Sequence, residues 1–375
     1  MTSEQDFDLW AFRPGARAWQ PSAAGRSAWS FHRSLPGYHP TPLVEAPGLA
    51  SDLRVGAVWV KDESNRMGLP AFKVLGASWA VNCALRARAG AGPADSLSEL
   101  QRGLGSGRPT LVTATDGNHG RAVAWMAHLL DLPARIYVPA VISAVAVAAI
   151  AAEGAEVVQT DLVYDDVVAL AASSCVDRAD QVLVQDTSWP GYTDIPQRIV
   201  DGYTTLFTEV DEQLGAAEVD LVVVPTGVGS LLQAALEHYR ASGLRHRPVV
   251  LAVEPVTAAC VTRSLAARSP VSVDTSAFTI LAGLNCGTVS DNAWPAIKAG
   301  LDAGLGITDA AAVTAVGRLS RYGVAAGPCG AAALAGASAA LTHPDRRAQL
   351  DLGPDSVVVL VSTEGTAANL PVEAL

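Results

Sequence analysis

One lysine lies in surroundings that favour chemistry. Lys73 follows Phe72 where a loop is expected to become a helix, within the segment Gly68–Ala77, whose other members are apolar or small. Such neighbours should partly desolvate the ammonium, which lowers a lysine's pKa and makes its amine nucleophilic. A nucleophilic lysine amine is what a Schiff base with an aldehyde cofactor requires. On this segment alone, an ordinary helix-start lysine with a buried stem is the more frequent case.

A glycine-rich turn offers a candidate phosphate site. The segment Pro225-Thr-Gly-Val-Gly-Ser230 follows an apolar strand and opens a helix. Glycines let backbone N–H groups approach an anion, and the helix N-terminus adds a favourable dipole. The candidate phosphate ligands are therefore Gly227, Val228, Gly229 and Ser230. The segment matches neither a Walker loop nor the GxGxxG register, and a glycine turn used only for tight packing is an equally good interpretation.

Acidic and hydroxyl side chains follow three other predicted strands. Asp116 precedes Asn118 at one strand end, Asp186 follows a second, and Ser362 and Thr363 follow a third. Asp116 could be a simple helix N-cap and Asn118 a turn former. In an open α/β sheet, however, ligands bind outside the carboxyl ends of the strands. A lysine, a phosphate site, two carboxylates and a hydroxyl pair at such ends predict a pyridoxal phosphate site with acid–base groups.

The elements that must position these residues alternate between strand and helix. The Lys73 helix is expected to end near Ala89, the segment up to Arg54 to be irregular, and Gly90–Pro109 to be a surface loop. Apolar strand runs separated by helices predict parallel sheets covered on both faces. The predicted strands are 57–61, 110–113, 134–138, 156–159, 182–185, 220–224, 249–253 and 356–361.

Composition narrows the class of protein. The 375 residues are half hydrophobic, which suits one large enzyme or two lobes around a cleft, and a net charge of −11 argues against nucleic acid as a partner. No apolar run has membrane-spanning length, and the acidic N-terminus has no signal-peptide core. The five cysteines are scattered without a CxxC pair, so we expect no metal site and a cytoplasmic chain.

Together these segments resemble the fold-type II pyridoxal-phosphate enzymes, and within that group the diaminopropionate ammonia-lyases. Asp116 is the most specific feature, because most fold-type II enzymes have serine there and these lyases have aspartate. The segments that carry the resemblance are Phe31–Leu43, Val60–Arg66, Ala71–Gly76, Thr113–Gly120, Gln185–Tyr192 and Ser362–Gly365.

The resemblance implies a fold, a set of domains and the cofactor contacts. The fold would be of the tryptophan synthase β type: two lobes, each a mostly parallel sheet flanked by helices, with the cofactor in the cleft. Residues 1–78 and 197–375 would form the large cofactor domain and 79–196 the small domain. Lys73 would form the Schiff base beside Phe72, Asn118 would hold the ring hydroxyl, and the 227–230 turn the phosphate. Ser362, or less readily Thr363, would face the pyridine nitrogen.

The reaction it implies is α,β-elimination of D- or L-2,3-diaminopropionate to pyruvate and ammonia by a carbon–nitrogen lyase. Lys73 and Asp116 would serve opposite faces of the substrate, and Asp186 would bind the β-ammonium. A homodimer is implied, as are neighbouring cysteines, Cys260 and Cys286, between which a disulfide can form.

Some features leave alternatives open. Gly327, Pro328 and Cys329 replace a glutamate and Ser-Gly pattern of many relatives, and little chain follows Gly365 to shape a substrate pocket. The first alternative is elimination or replacement on another β-substituted amino acid in a biosynthetic pathway. A pyridoxal-phosphate protein without turnover is a second alternative. A nicotinamide dehydrogenase is a third, weakened by the missing GxGxxG turn.

Overall fold

The chain forms two compact units. The computed structural model describes residues 9–21, 28–105, 107–140, 142–242, 244 and 246–368, so the N-terminal eight residues and the last seven lie outside it. The first unit comprises the described residues of 9–21, Pro40–Asn65 and Leu206–Thr366; the second comprises those of 28–39, Arg66–Thr205 and 367–368. The units divide near residues 65 and 205. The domain limits expected at 78 and 196 stay a prediction.

Strands and helices alternate along most of the described chain. The strands are β1 Trp10–Phe12, β2 Leu43–Glu45, β3 Ala57–Asp62, β4 Thr110–Ala114, β5 Ala134–Pro139, β6 Glu156–Thr160, β7 Gln181–Leu183, β8 Leu221–Pro225, β9 Val249–Pro255, β10 Ala303–Ile307 and β11 Val357–Ser362. The helices are α1 Trp29–Arg33, α2 Pro47–Leu53, α3 Lys73–Arg88, α4 Leu97–Gly103, α5 Asn118–Leu129, α6 Ala144–Ala152, α7 Tyr164–Ser174, α8 Asp194–Leu214, α9 Ser230–Tyr239, α10 Cys260–Ala267, α11 Ala293–Gly300, α12 Asp309–Ser320, α13 Pro328–Leu341 and α14 Pro344–Leu350.

The first unit contains a seven-stranded sheet in the order β1-β10-β9-β8-β11-β3-β2. Its inner strands are parallel, and the short edge strands β1 and β2 pair antiparallel. Every residue of β8 and β9 is buried, as expected for apolar strands covered on both faces. The alanine-rich helix α13 packs against β8 and β11 and is almost wholly buried, so its small side chains serve close packing.

The second unit contains a four-stranded parallel sheet in the order β6-β5-β4-β7. Helix α3 packs against α5 and is buried without a break from Val74 to Leu85. A helix with this little polar surface must be covered on all sides. Lys73 is therefore the first residue of a core helix. The predicted mostly parallel α/β sheets are confirmed.

The structure corrects two expectations about irregular segments. The part before Arg54 contains β1, α1, β2 and α2, and the expected surface loop at 90–109 contains α4. The Ser96 hydroxyl accepts a hydrogen bond from Glu99 N, and the Glu99 carboxylate accepts one from Asp95 N. This is close to the Ser-x-x-Glu capping pattern, a local signal in a segment otherwise rich in breakers.

Strand β10 was also not expected. Its sequence, Ala-Gly-Leu-Gly-Ile, has two glycines, which weaken a strand pattern. The structure explains one of them. A Cβ on Gly304 would lie 2.7 Å from the Thr262 hydroxyl, so α10 can approach the strand only where a side chain is missing.

Candidate active site

Lys73 is held by a carboxylate from a distant part of the chain. Its Nζ donates a hydrogen bond of 2.7 Å to Asp186 Oδ2, and the two side chains are 26% and 10% exposed. Phe72 is buried beside it as the N-cap residue of α3, and the phenyl ring packs 4.7 Å from that of Tyr203. The structure thus brings together Lys73, Phe72 and Asp186 within the second unit.

The pKa of Lys73 departs from the sequence-based expectation. Burial does lower it, but the Asp186 carboxylate, with a contribution from Tyr203, outweighs burial and raises the pKa above its usual value. The expectation of a lowered pKa is therefore wrong for the lysine as it stands here. The lysine is desolvated as expected, but Asp186, which raises its pKa, lies 113 residues away in sequence.

The chain offers few other lysines for a Schiff base. It contains three in all: Lys61, Lys73 and Lys298. Lys61 is completely buried in β3 and lies 2.6 Å from the Glu209 carboxylate, so it cannot reach a ligand. Lys298 is exposed in the last turn of α11. Only Lys73 combines a partly desolvated position with access to solvent, and the residues present fit an aldehyde cofactor there.

The turn after β4 presents Asp116 and Asn118. Gly117 has φ +149°, a conformation that side chains rarely adopt, and its N–H donates 2.9 Å to the Thr115 hydroxyl. The N-cap residue of α5 is therefore Gly117 rather than Asp116, and the Thr115 hydroxyl also accepts from Gly120 N in the first turn at 3.0 Å. Asp116 is left free of the capping role considered for it, and Asn118 begins α5.

The charges of Lys73 and Asp186 affect the pKa of Asp116. Lost hydration raises the pKa of its carboxyl, the Lys73 charge lowers it, and the Asp186 charge raises it again. Because the Asp116 side chain is exposed, water limits the net rise. Asp116 therefore has access to solvent and to its neighbours' charges, as a proton carrier needs.

His119 lies beside the carboxylate in the second unit. Its Nε2 contacts the Val184 carbonyl oxygen at 2.7 Å, and its Nδ1 lies 3.8 Å from Asp186 Oδ2 without a hydrogen bond. Burial lowers the pKa of His119, and the opposing attraction of Asp186 does not restore it. Burial therefore favours the neutral form of His119, and the cation hydrogen-bonded to Asp186 is Lys73.

The glycine turn has the features of an anion site. Gly229, at φ +102°, precedes α9, and Ser290 N donates 2.9 Å to the Val228 carbonyl oxygen. Within the described residues, the N–H groups of Gly227, Val228 and Gly229 donate to no protein acceptor. Ser230 begins the helix and is buried. Unsatisfied backbone donors at a helix N-terminus fit a phosphate group.

Ser362 ends strand β11, which lies beside β8, and Thr363 follows it. Strand β11 pairs in parallel with β8, so both strands deliver their carboxyl ends to the same edge of the sheet. Ser362 is completely buried, and its Oγ has no hydrogen-bond partner among the described residues; Thr363 is 4% exposed. A Cβ on Gly330 would lie 2.9 Å from Ser362 Oγ. An unpartnered hydroxyl in a space kept clear by glycine fits a ring nitrogen of a bound cofactor.

The two predicted neighbouring cysteines flank the glycine turn. Cys260 Sγ lies 4.0 Å from the Gly227 carbonyl oxygen, and a Cβ on Gly227 would lie 2.9 Å from Cys286 Sγ. Burial raises the pKa of Cys260, and the nearby Cys286 thiol raises it further. The prediction that they are neighbours is confirmed, and they are not joined by a disulfide in the structure.

The described part of the chain contains neither a metal-binding cluster nor a membrane-spanning helix. No group of three or more His, Cys, Asp or Glu side chains is arranged to hold a metal ion. No helix there combines the length and apolar character needed to cross a membrane.

Three site residues were not predicted from the sequence. Tyr203 and Gly330 come from α8 and α13, and nothing in their local sequence marks them. Gln185 had a signal, since it directly precedes Asp186, but its side-chain contacts with Thr113 and Ala114 of β4 required the structure.

Comparison with known proteins agrees with this geometry. The sequence profile of the family described as pyridoxal-phosphate dependent enzyme matches residues 35–364. Diaminopropionate ammonia-lyase of Escherichia coli strain K12 is 36% identical over 353 residues, covering 90% of this chain and 87% of the relative. The enzyme of the same name from Salmonella typhimurium is 37% identical over 287 residues, covering 73% and 70%.

Comparison with solved structures agrees with the sequence comparison. The holo structure of the Escherichia coli diaminopropionate ammonia-lyase has a TM-score of 0.84 and 33% identity, covering 98% of this chain and 93% of that one. Maize serine racemase, with a TM-score of 0.71 and 23% identity over 90% of each chain, shares the fold. The predicted fold-type II architecture is confirmed. The chain belongs to the family of pyridoxal-phosphate dependent enzymes.

Proposed function

We propose that the protein catalyses the α,β-elimination of 2,3-diaminopropionate to pyruvate and ammonia. The observation that carries this proposal is the Asp186 carboxylate, which holds an ammonium group at 2.7 Å in a partly desolvated site. The proposed substrate differs from serine in having a second ammonium at the β carbon, so its recognition requires such a carboxylate. The likeness to diaminopropionate ammonia-lyases over most of the chain supports the same substrate.

Three residues of the second unit, Lys73, Asp116 and Asp186, have distinct roles in this proposal. Lys73 carries the cofactor and takes the Cα proton from one face of the substrate. Asp116 serves the opposite face, and Asp186 holds the β-amine as an ammonium so that it departs as ammonia. A positioned acid or base contributes about 100- to 10,000-fold in rate. Pyridoxal phosphate, when bound, supplies the electron sink that makes the Cα–H bond acidic.

The remaining roles concern binding of the cofactor. Phe72 flanks the lysine, and Asn118 holds the ring hydroxyl. The N–H groups of residues 227–230 bind the phosphate, and Ser362, with Thr363 as second choice, faces the pyridine nitrogen. A neutral hydroxyl does not stabilise a protonated pyridine nitrogen as a carboxylate would, so the bound cofactor would be a weaker electron sink. A cofactor held in this way would favour elimination, in which the β leaving group departs promptly, over reactions that need lasting stabilisation of negative charge at Cα.

A second candidate function is elimination or replacement on another β-substituted amino acid. The segment Gly327-Pro-Cys329 favours it, because it departs from the pattern of many relatives. The structure shows why that segment matters locally: Gly327 N donates to the Glu364 carbonyl oxygen directly after Ser362 and Thr363. A cofactor-binding protein without turnover is disfavoured by the acid–base groups around Lys73.

A panel of β-substituted substrates tests the proposal. The measurement is kcat/KM for pyruvate release from D- and L-2,3-diaminopropionate, serine and O-acetylserine. The proposal expects the diaminopropionates to exceed the others by about tenfold or more, since an ammonium paired with a carboxylate adds a charge-assisted hydrogen bond. A preference for serine or O-acetylserine would select the second candidate.

We also infer that the enzyme is a cytoplasmic homodimer. The homodimer is supported by the resemblance to the lyases, and the location by five cysteines without disulfides in the structure. Light scattering of the purified protein tests the assembly, and fractionation of cells tests the location.

A further inference from the structure

The side chain of Gln185 connects the two carboxylate-bearing segments of the second unit. Its Oε1 accepts hydrogen bonds of 3.0 Å from the Thr113 hydroxyl and from Ala114 N. Its Nε2 donates to Asp186 Oδ1 and to the Tyr164 hydroxyl, both at 3.3 Å. The orientation of the amide is fixed, because the Ala114 N–H is a donor and must face the oxygen. Gln185 is completely buried.

The backbone of Gln185 is held as firmly as its side chain. Gln185 N donates 2.9 Å to the Tyr192 hydroxyl, which donates 3.0 Å to the Leu183 carbonyl oxygen. The Tyr192 ring in turn stacks on Trp189 at 4.4 Å between centroids. Movement of the Gln185 amide would therefore break contacts on both β4 and the loop that carries Asp186.

The two oxygens of the Asp186 carboxylate face different groups. Oδ1 faces the Gln185 amide, and Oδ2 is directed to the Lys73 ammonium. On its other side, the amide fixes Ala114, two residues before Asp116. We infer that Gln185 is a positioning residue for the elimination, which leaves one oxygen of Asp186 for the ammonium and sets the start of the Asp116 turn. The inference rests on the proposed function.

Gln185→Glu tests the donated hydrogen bond to Asp186 separately from the hydrogen bonds accepted from Thr113 and Ala114. The new carboxylate can still accept from Thr113 and Ala114, but when ionised it cannot donate to Asp186. Two carboxylates then face each other, and such a pair holds one proton more tightly than either group alone. With that proton, the variant resembles wild type; without it, Asp186 is repelled.

The expected signature is therefore a dependence on pH. The ratio of wild-type to variant kcat/KM should rise with pH, from less than about threefold near pH 6 to about 10- to 100-fold near pH 9, as a charged hydrogen bond is lost. Titration of the substrate affects both proteins equally and cancels in the ratio. Besides Asp186, the ionisable groups in contact with Gln185 are Tyr164 of α7 and Tyr192. The charged or titratable groups that interact with Asp186 are Lys73 of α3, His119 of α5 and Asp116.

Gln181→Glu is the matched control. Gln181 begins β7 and is also buried, but its Oε1 has no hydrogen-bond partner among the described residues. It measures the general, pH-dependent cost of burying a carboxylate on this strand, so the effect specific to Asp186 is the rise in the Gln185→Glu ratio beyond that of Gln181→Glu. If Gln185→Glu does not fold, Gln185→Asn replaces it. The shorter amide cannot reach both sides, and kcat/KM should fall about tenfold with unchanged cofactor affinity.

A second readout does not require turnover. The difference in Tm between wild type and Gln185→Glu should grow over the same pH range, because the repulsion exists whatever the substrate is. A growing difference without pyruvate from any diaminopropionate would reject the proposed function but keep the coupling of Gln185 to Asp186. A loss of activity that does not vary with pH, or wild-type activity in both Gln185 variants, would overturn the inference.

Discussion

The Lys73 ammonium donates to one oxygen of the Asp186 carboxylate at 2.7 Å, although the two residues lie 113 positions apart. The pair explains why Lys73 is charged in a place where burial alone would lower its pKa. It also shows that the site can hold an ammonium group, which is the feature that the proposed substrate adds to serine.

Removal of the lysine should abolish turnover without unfolding the chain. Lys73→Ala is expected to lose elimination by about 1,000-fold or more, because the base and the cofactor attachment are lost together. The absorption of lysine-bound pyridoxal phosphate should disappear with it. Lys298→Ala, at an exposed position in α11, is the control and should keep both properties. Wild-type turnover by Lys73→Ala would exclude the assignment.

A methyl group in the glycine turn should weaken cofactor binding. In Gly227→Ala the new Cβ would lie 2.9 Å from Cys286 Sγ and 3.3 Å from the Gly283 carbonyl oxygen, so the turn must shift. We expect the affinity for pyridoxal phosphate to fall about tenfold or more, since the phosphate depends on aligned N–H groups. Titration of the cofactor-free protein, followed by absorbance, measures it.

Gly317→Ala provides the opposite case. Gly317 lies exposed inside α12, and a Cβ there would meet no atom within 4 Å. Alanine in a helix interior is favoured over glycine by about 0.5–1 kcal/mol, so this variant should unfold at a higher temperature. Its cofactor affinity should equal that of wild type. Equal affinities for the Gly227 and Gly317 variants would argue against the turn as phosphate site.

The Asp186 carboxylate should make stability sensitive to acid. Burial raises the pKa of Asp186, but the Lys73 charge overcomes it, so the pKa lies well below the ordinary 3.8. A depressed carboxyl pKa stabilises the fold above the unfolded value, and the stabilisation is lost as pH falls through the folded value. Asp186→Asn should therefore cost about 1–2 kcal/mol at neutral pH. Its Tm difference from wild type should narrow below about pH 4; a constant difference would contradict the pairing.

The two carboxylates should respond differently to the substrate enantiomer. Lys73 can serve only one face of the substrate, so Asp116→Asn should impair the D-enantiomer about tenfold or more beyond the L-enantiomer. Asp186→Asn should impair both, because both present a β-ammonium. Rates of pyruvate release from each enantiomer decide this. Equal losses on the two enantiomers for Asp116→Asn would exclude the two-face arrangement.

Local sequence patterns predicted the elements that carry the site. The apolar runs before Pro225 and Ser362 became buried parallel strands, and the polar residues after them lie at one edge of the sheet. These inferences succeeded because strand burial and helix capping depend on neighbours in sequence. The same reasoning missed β10 and α4, where glycines and prolines conceal the pattern.

Long-range contacts account for the remaining differences. The raised pKa of Lys73 depends on Asp186, and the orientation of Asp186 depends on Gln185, whose amide is fixed by Thr113 and Ala114. No spacing in the sequence announces these pairs, because they form only when β4 and β7 align in the sheet. The residue types of the site were therefore predictable, whereas their charges and partners required the structure.

The stoichiometry of the wild-type reaction tests the central claim most directly. Loss of the β-amine followed by hydrolysis converts one 2,3-diaminopropionate and one water into one pyruvate and two ammonia. The protein loaded with pyridoxal phosphate should therefore release two ammonia for each pyruvate from 2,3-diaminopropionate. Lys73→Ala should release neither product. Absence of pyruvate from both enantiomers, with the lysine-bound cofactor intact, would contradict the account.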